Sequence, residues 1–172
     1  GICVHPDMTY ALVETDKGKL IMLEELVEQL CPKFECESFE IIKTFKGSEF
    51  EYITCTHPLY PERESLLMLA DYVTADAGTG CVHTAPAFGE DDFNTGMRYK
   101  LPVYCNVDEQ GRMMESCGEW LAGQYVEDAN KTVTMKLDEL GALLNLTFIT
   151  HSYPHDWRTK KPIIFRATTQ WF

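Results

Sequence analysis

Apolar and polar residues alternate along several short stretches of this chain, which predicts a mainly β protein. Met8 to Glu14 and Lys19 to Met22 are predicted to form a hairpin, because Asp16-Lys17-Gly18 supplies turn residues between them. Phe39 to Phe45 and Phe50 to Cys55 are predicted to form a second strand pair. Further strands are predicted at 66–69, 72–73, 82–84, 103–106, 144–150 and 163–166, with a turn at 108–111.

Three segments show helical patterns instead. Leu23 to Leu30 is predicted to be a short amphipathic helix that stops before Pro32. A second helix is predicted from Gly89 to about Tyr99. The third, from Asp128 to Leu140, repeats apolar residues at helical spacing and is followed by Gly141. The fold class is therefore mainly β with helical insertions, an α+β arrangement.

The candidate chemistry is densest in residues 78–93, which read GTGCVHTAPAFGEDDF. Gly78 and Gly80 can adopt backbone angles that are closed to other residues and allow a ligand to approach the main chain. His83 lies on the strand that follows, and Glu90-Asp91-Asp92 lies at the predicted start of the second helix, where acids are favoured. A small polar ligand held there would meet an imidazole, a carboxylate and unpaired amides.

Each of these features also has an ordinary structural interpretation. Glu90 and Asp91 are the kind of acids that cap a helix start. A histidine on a strand is more often a hydrogen-bonded core residue than a catalytic one. Asp92 is harder to explain in this way, and the whole string is more specific than any one of its residues.

The string resembles the editing domain inserted in the class I aminoacyl-tRNA synthetases for isoleucine, valine and leucine. In that family GTG-x-V and a following loop with an acidic pair form one wall of a hydrolytic pocket. The sequence V-H-x-A-P, present here at 82–86, is typical of the isoleucine enzymes, whereas the others usually place lysine or methionine at the position of His83. The segment 151–172, HSYPHDWRTKKPIIFRATTQWF, resembles the part of the insertion that returns to the catalytic core.

The resemblance covers essentially all 172 residues. It implies a closed β-barrel editing domain over residues 1–150, with 151–172 as the returning segment of the same structural unit. It also implies an aminoacyl-tRNA ester hydrolase that acts in cis within an isoleucine synthetase and removes valine from tRNA(Ile). A pocket that accepts isoleucine rejects valine by only about 1–3 kcal/mol, so a second, hydrolytic site has to supply the remaining fidelity.

Site roles follow from the resemblance residue by residue. Asp92 is expected to hold the α-ammonium group of the misplaced valine. His83 is expected to line the same pocket, where it limits side-chain size or hydrogen-bonds near the terminal ribose. The other expected substrate-binding residues are Gly78, Thr79, Gly80, Thr84, Phe88 and Asp91.

The resemblance has two departures. Ala87-Phe88-Gly89 stands where some members carry Gly-His-Gly, so no second histidine is expected as a base, and the substrate's ribose hydroxyl or a positioned water takes that role. The threonine-rich strand T-T-x-P-W-T-x-P-x-N, the opposite wall of the pocket in the family, does not occur in this sequence. The isolated chain is therefore expected to be a weak or inactive hydrolase, and it looks like a piece cut from something larger.

Charge limits the partners. With 15 basic and 27 acidic residues the net charge is −12, the wrong sign for holding a polyanion unaided. The expected partners are the acceptor end of tRNA(Ile) carrying valine and the rest of the synthetase in cis, which must deliver the tRNA. Basic residues gather locally in the last segment, at Arg158, Lys160, Lys161 and Arg166. They are interpreted as a solvated strand edge, and guidance of the acceptor end is a secondary role.

Composition adds a prediction of location. No apolar run is long enough to span a bilayer, no leader pattern is present, and the seven cysteines show no C-x-x-C pair. A cytoplasmic protein with reduced thiols and no membrane contact is expected. No metal and no cofactor is expected for this domain, although the parent enzyme of the family uses ATP and Mg²⁺.

Other functions stay open. One is a domain that positions the acceptor end without hydrolysis, and another is the editing domain of the valine enzyme. A third is an unrelated metallohydrolase that binds a divalent ion through His83, Asp91 and Asp92.

Overall fold

The computed structural model describes residues 1–150 and 152–171, and the chain divides into two compact units, Gly1–Thr84 and Ala85–Phe172. We describe each unit by itself. The predicted division at residue 150 stays a prediction. No helix in the described residues is long and apolar enough to cross a bilayer.

The first unit contains two sheets. A three-stranded antiparallel sheet has the order β3-β2-β4, in which the strands are Gly18–Leu23, Thr9–Thr15 and Phe39–Lys46 respectively. A four-stranded sheet has the order β5-β6-β1-β7, in which the strands are Thr54–Thr56, Glu64–Leu69, Ile2–Val4 and Val82–His83. Strand β1 is parallel to β6, and the other neighbours are antiparallel.

One helix and two 3₁₀ turns complete the first unit. The turn Glu24–Leu26 leads into α1, Val27–Lys33, and the turn Gly47–Phe50 follows β4. Side chains from both sheets, α1 and the second turn form one hydrophobic core, whose buried members include Val4, Tyr10, Val13, Met22, Leu23, Val27, Leu30, Cys31, Phe50 and Leu67.

The second unit is built on two helices, α2 at Glu90–Arg98 and α3 at Val126–Glu139. Between them lies a 3₁₀ turn, Glu115–Cys117, and the isolated bridges Val107↔Met113 and Arg112↔Tyr125. A small core joins this turn to α3 through Cys117, Leu121 and Ala129, with Met113, Trp120 and Val133 packed against it.

Elements with strong local signals are confirmed. The first hairpin forms with its turn at the predicted residues, and α2 and α3 begin within two residues of the predicted positions. The turn at 108–111 also forms, because the N–H of Gly111 donates to the carbonyl of Asp108 at 3.2 Å. Gly141 follows α3 with a φ of +64°, the left-handed conformation expected after a helix.

The second predicted strand pair is wrong. Strand β4 pairs with β2, and β5 begins only at Thr54 and pairs with β6. The reason is that residues 47–50 form a 3₁₀ turn, in which the N–H of Gly47 donates to Met8 and that of Ser48 to Pro6, both at 3.0 Å. These bonds turn the chain away from β4 before it can return as a hairpin.

Other predicted strands are also absent. Residues 72–73, 103–106, 144–150 and 163–166 are not strands, and no ladder among the described residues includes them. Short apolar runs in these places lack a neighbouring strand to supply backbone partners, so the basic residues after 157 do not protect a strand edge. The described residues form mixed sheets with few helices. The closed barrel is not confirmed, because both sheets are open.

Helix α1 continues past Pro32 to Lys33 instead of stopping before the proline. Pro32 lies in the last turn, so the backbone hydrogen bond that it cannot donate is lost only at the helix end. Burial of Leu30, Cys31 and Phe34 holds this turn against the core.

We expect Gly47→Ala to lower the free energy of unfolding by about 1–3 kcal/mol. A Cβ at Gly47 would overlap the carbonyl oxygen of His5, which is backbone and cannot turn aside. Urea denaturation of this variant and of Ser48→Ala, an exposed neighbour expected to change stability by less than about 0.5 kcal/mol, tests the packing. Equal stabilities of the two variants would contradict it.

Candidate functional site

The GTG loop, residues 78–80, lies in sequence between β6 and β7 of the four-stranded sheet and leads into β7. Gly78 has a φ of +73° and Gly80 a φ of +81°, so both positions require glycine's conformational freedom. A Cβ at Gly80 would also run into the side chain of Leu23. The two predicted glycines are therefore needed by the backbone itself, whatever ligand approaches them.

The hydroxyl of Tyr10 holds this loop through hydrogen bonds to the backbone. Its hydroxyl donates to the carbonyl of Gly80 at 2.7 Å and accepts from the N–H of His5 at 2.9 Å. The side chain is fully buried, its ring meets that of Phe50 edge-on at 5.7 Å, and burial raises the pKa of Tyr10 to about 12. Sequence reasoning missed Tyr10, although a tyrosine in an apolar strand signals a buried hydroxyl that needs a partner.

Thr79 is held by two further hydrogen bonds. Its carbonyl accepts from the N–H of Leu23 at 2.9 Å, and its Oγ1 accepts from the N–H of Cys81 at 3.3 Å. The loop is thus attached both to the end of β3 and to the residue before β7.

His83 and Thr84 differ sharply in their surroundings. His83 ends β7, pairs with Ile2 of β1 and is exposed. Thr84 is only 1% exposed, and its hydroxyl donates to Sγ of Cys3 at 3.0 Å and lies 3.3 Å from the hydroxyl of Tyr72. The side chain of Thr84 therefore contacts the interior of the first unit, and its substrate-binding role stays a prediction.

A second histidine of the first unit interacts with His83. Strands β5 and β7 run in the same direction, so His57, which follows β5, lies at the same end of the sheet as His83. Nδ1 of His57 accepts from the N–H of Leu59 at 3.1 Å. Burial lowers the pKa of His57, and the positive charges of His83 and Arg63 lower this pKa further. Sequence reasoning missed this neighbour because His57 lies far from the GTG string.

Asp92 lies in the second unit, at the third position of α2. Its Oδ1 accepts from the N–H of Ala85 at 3.0 Å, and its carboxylate packs against Gly89, the N-cap residue. Asp92 is partly buried, whereas Glu90 and Asp91 are exposed. The carboxylate thus closes the loop 85–89 onto the helix, a structural role that the sequence did not reveal.

The remaining loop residues pack locally. The N–H of Phe88 donates to the carbonyl of Ala85 at 2.9 Å, which makes a tight turn, and the side chain of Phe88 is partly buried. Gly96 leaves room for Pro86, whose Cγ would lie 2.5 Å from a Cβ at that position. The loop 85–89 therefore packs against the middle of α2.

The predicted site residues are divided between the two units. The first unit holds Gly78, Thr79, Gly80, His83 and Thr84, and the second holds Phe88, Asp91 and Asp92. Among residues 1–150 and 152–171, no group of three or more histidine, cysteine, aspartate or glutamate side chains is placed to hold a metal ion. The metallohydrolase hypothesis gains no support from this arrangement.

The second unit also has a cavity of about 470 Å³, a size typical of ligand sites. None of the predicted site residues lines it. Its lining residues are Tyr125, Val126, Glu127, Asn130, Tyr153, His155, Pro162 and Ile164.

Residues 8–140 match the family model described as leucyl-tRNA synthetase, editing domain. The chain belongs to this family of editing domains. The match begins just before β2 and ends at Leu140, the first residue after α3, so it contains the GTG loop, His83 and Asp92.

Comparison with individual relatives shows which enzymes of this family the chain is similar to. The editing domain is 57% identical over 172 residues to the isoleucine-tRNA ligases of Bacillus cereus strain AH820 and Bacillus anthracis strain A0248. The alignment covers 100% of this chain but 18% of each relative, so the chain spans less than a fifth of their length. A crystal structure of GlLeuRS-CP1 shares the fold at a TM-score of 0.59 and 16% identity, over 81% of this chain and 73% of that chain.

We expect Tyr10→Phe to lower the free energy of unfolding by about 1–3 kcal/mol, because it leaves the carbonyl of Gly80 and the N–H of His5 without their buried partner. Tyr104→Phe is the matched control, since Tyr104 is 69% exposed. A Tyr10→Phe variant as stable as this control would show that the two hydrogen bonds contribute nothing.

The raised pKa of Tyr10 also predicts a dependence of stability on pH. Tyrosine in the unfolded chain ionises near pH 10, whereas Tyr10 in the folded chain stays neutral to about pH 12. Its contribution is complete below about pH 10 and is lost as the pH rises toward 12, by about 1.4 kcal/mol per pH unit. Denaturation curves across this range should fall less steeply for Tyr10→Phe than for the wild type, and parallel curves would contradict the assignment.

Proposed function

We propose that this chain is the editing domain of an isoleucine-tRNA ligase and hydrolyses the ester bond of tRNA(Ile) mischarged with valine. The observation that carries the proposal is the 57% identity to isoleucine-tRNA ligases across all 172 residues. The family match over residues 8–140 supports editing as the activity of this segment. The hydrogen bonds that hold the GTG loop and the loop 85–89 in place support a binding role for residues 78–92.

Asp92 binds the α-ammonium group of the misplaced valine in this proposal. A carboxylate offers charge-assisted hydrogen bonds to an ammonium group, and fixing that group fixes the ester carbonyl two bonds away. The contact between Oδ1 and the N–H of Ala85 supports this role, because it holds the carboxylate in one orientation before the substrate arrives.

His83 and the GTG loop serve the remaining parts of the substrate. His83 limits the size of the amino-acid side chain or hydrogen-bonds to the terminal ribose, and its exposure on β7 supports either role. Backbone groups of the loop are held by Tyr10 and Leu23 and so can position the ester without reorganising. The substrate's ribose hydroxyl or a positioned water completes the hydrolysis.

Partners and location follow from the same proposal. The rest of the synthetase acts in cis and delivers the acceptor end of tRNA(Ile), since a net charge of −12 gives this chain little hold on a polyanion. The domain itself needs no cofactor, whereas ATP and Mg²⁺ serve the synthetase's charging reaction. The location is the cytoplasm. A domain that only positions the acceptor end is the alternative, and the experiments below distinguish it.

The contact between Asp92 and Ala85 allows the charge of Asp92 to be tested apart from its structural role. Asp92→Asn retains an oxygen for the N–H of Ala85 but removes the charge, so we expect clearance of Val-tRNA(Ile) by the full-length enzyme to fall roughly 10- to 100-fold. Isoleucine charging should be unchanged. Asp91→Asn, an exposed neighbour on the same helix, should clear valine normally.

Deacylation of purified Val-tRNA(Ile), measured by loss of radiolabelled valine, checks these expectations. A purely structural Asp92 would give normal clearance in Asp92→Asn and a defect only in Asp92→Ala. Normal clearance in both Asp92 variants would remove Asp92 from the site. No valine release by the wild-type full-length enzyme would favour the positioning domain and end the hydrolase proposal.

We expect His83→Ala to change the ratio of valine to isoleucine cleavage, toward wrongful removal of isoleucine if the ring occupies the space of the extra methylene. Deacylation rates on Val-tRNA(Ile) and Ile-tRNA(Ile) give this ratio. Because His83 is exposed, the melting temperature should change little. Slower cleavage of both esters at an unchanged ratio would assign His83 to the ribose or the water instead of to side-chain size.

A further inference from the structure

Two cysteines lie at matched positions of the turn that ends α1. The N–H of Cys36 donates to the carbonyl of Cys31, and the N–H of Glu35 donates to that of Pro32, both at 3.0 Å. Glu35 has a φ of +56°, in the left-handed region. These three features define a Schellman motif in which Cys31 is the third residue from the helix end and Cys36 the second residue beyond it.

In this motif the side chains of those two positions frequently make contact. In most proteins the contact is between hydrophobic residues, whereas here both residues carry thiols. Cys36 packs against the hydrophobic core cluster that contains Cys31. The motif therefore places the two cysteines next to each other in the folded chain, and both are free thiols.

The β2–β3 turn holds the backbone around the pair. Nζ of Lys17 donates to the carbonyl of Phe34 at 2.6 Å, and Oδ1 of Asp16 accepts from the N–H of Glu37 at 2.9 Å. The loop that carries Cys36 is thus attached on both sides of that residue. A bond between the two sulfur atoms needs no large backbone movement, which is the usual obstacle to forming a disulfide.

The two thiols differ in accessibility. Cys31 is fully buried, and Cys36 is partly exposed. Burial raises the pKa of the Cys31 thiol, and the neighbouring Cys36 and Glu28 raise it further. Cys36 is therefore the thiol that meets a reagent from solvent first, and Cys31 is the one that resolves the product.

We propose that Cys31 and Cys36 form a reversible disulfide by exchange with low-molecular-weight disulfides of the glutathione type. The Cys36 thiolate attacks the small disulfide, forms a mixed disulfide and releases one small thiolate. Cys31 then loses its proton and attacks the sulfur of Cys36, which releases the second small thiolate. The protein dithiol is oxidised by two electrons, and the small disulfide is reduced to two thiols that take up the two protons.

Peptide mapping tests the pairing directly. The full-length protein is equilibrated in glutathione buffers of increasing disulfide fraction, its remaining thiols are alkylated, and it is digested with trypsin. Trypsin cuts after Lys33, so Cys31 and Cys36 fall on separate peptides, 20–33 and 34–43, with one cysteine each. We expect mass spectrometry to find these two peptides joined, and dithiothreitol to separate them.

The folded geometry predicts how readily the bond forms. In native protein the joined peptides should appear at a disulfide-to-thiol ratio at least about tenfold lower than in urea-unfolded protein, a difference of about 30 mV. Cys36→Ser should abolish the joined peptides, and Cys105→Ser, which changes a cysteine of the second unit, should leave them unchanged. Circular dichroism at each ratio checks that the native protein stays folded.

Two results would overturn the proposal. One is an equal or higher ratio for native than for unfolded protein, which would mean that the fold opposes the bond. The other is a stable glutathione adduct on Cys36, or joining of either cysteine to a different one, while the protein stays folded. Neither result bears on the editing activity, since the pairing chemistry is independent of it.

Discussion

The hydroxyl of Tyr10 joins three parts of the chain that are distant in sequence. It comes from β2, accepts from the backbone of residue 5 and donates to the backbone of residue 80. Because the tyrosine is fully buried, each of these polar groups would lose its partner without regaining water, at a cost of about 1–3 kcal/mol. The position of the GTG loop, and of His83 after it, therefore depends on this side chain together with the bond from Leu23 to Thr79 and the pairing of β7 with β1.

Local signals in the sequence were sufficient for the hairpin at β2 and β3 and for the helices α2 and α3. Each is specified by residues within its own turn or its own apolar repeat. Pairing between distant strands was not predictable in this way. Strand β1 was missed, and the partner of β4 was wrong, because both depend on where the 3₁₀ turn at 47–50 bonds to the backbone of Pro6 and Met8.

The candidate site was predictable as a string and less so as single residues. The glycines of the GTG loop have the positive φ angles that their residue type suggests. The buried hydroxyl of Thr84, the contact of Asp92 with Ala85 and the proximity of His57 to His83 all arise from packing that no spacing rule encodes. A helix-end acid such as Asp92 can have a structural and a binding role at once. One carboxylate oxygen holds the loop 85–89, while the proposed ligand contact depends on the charge.

Binding of a non-hydrolysable valyl-adenosine analogue, followed by amide NMR on a folded form that contains this chain, tests the assignment of the editing site most directly. We predict that chemical shifts change at the GTG loop and His83 and at residues 85–93, and that the Asp92→Asn variant weakens these changes. Changes confined to the cavity lined by Tyr125 and Tyr153, with none at His83 or Asp92, would contradict the assignment.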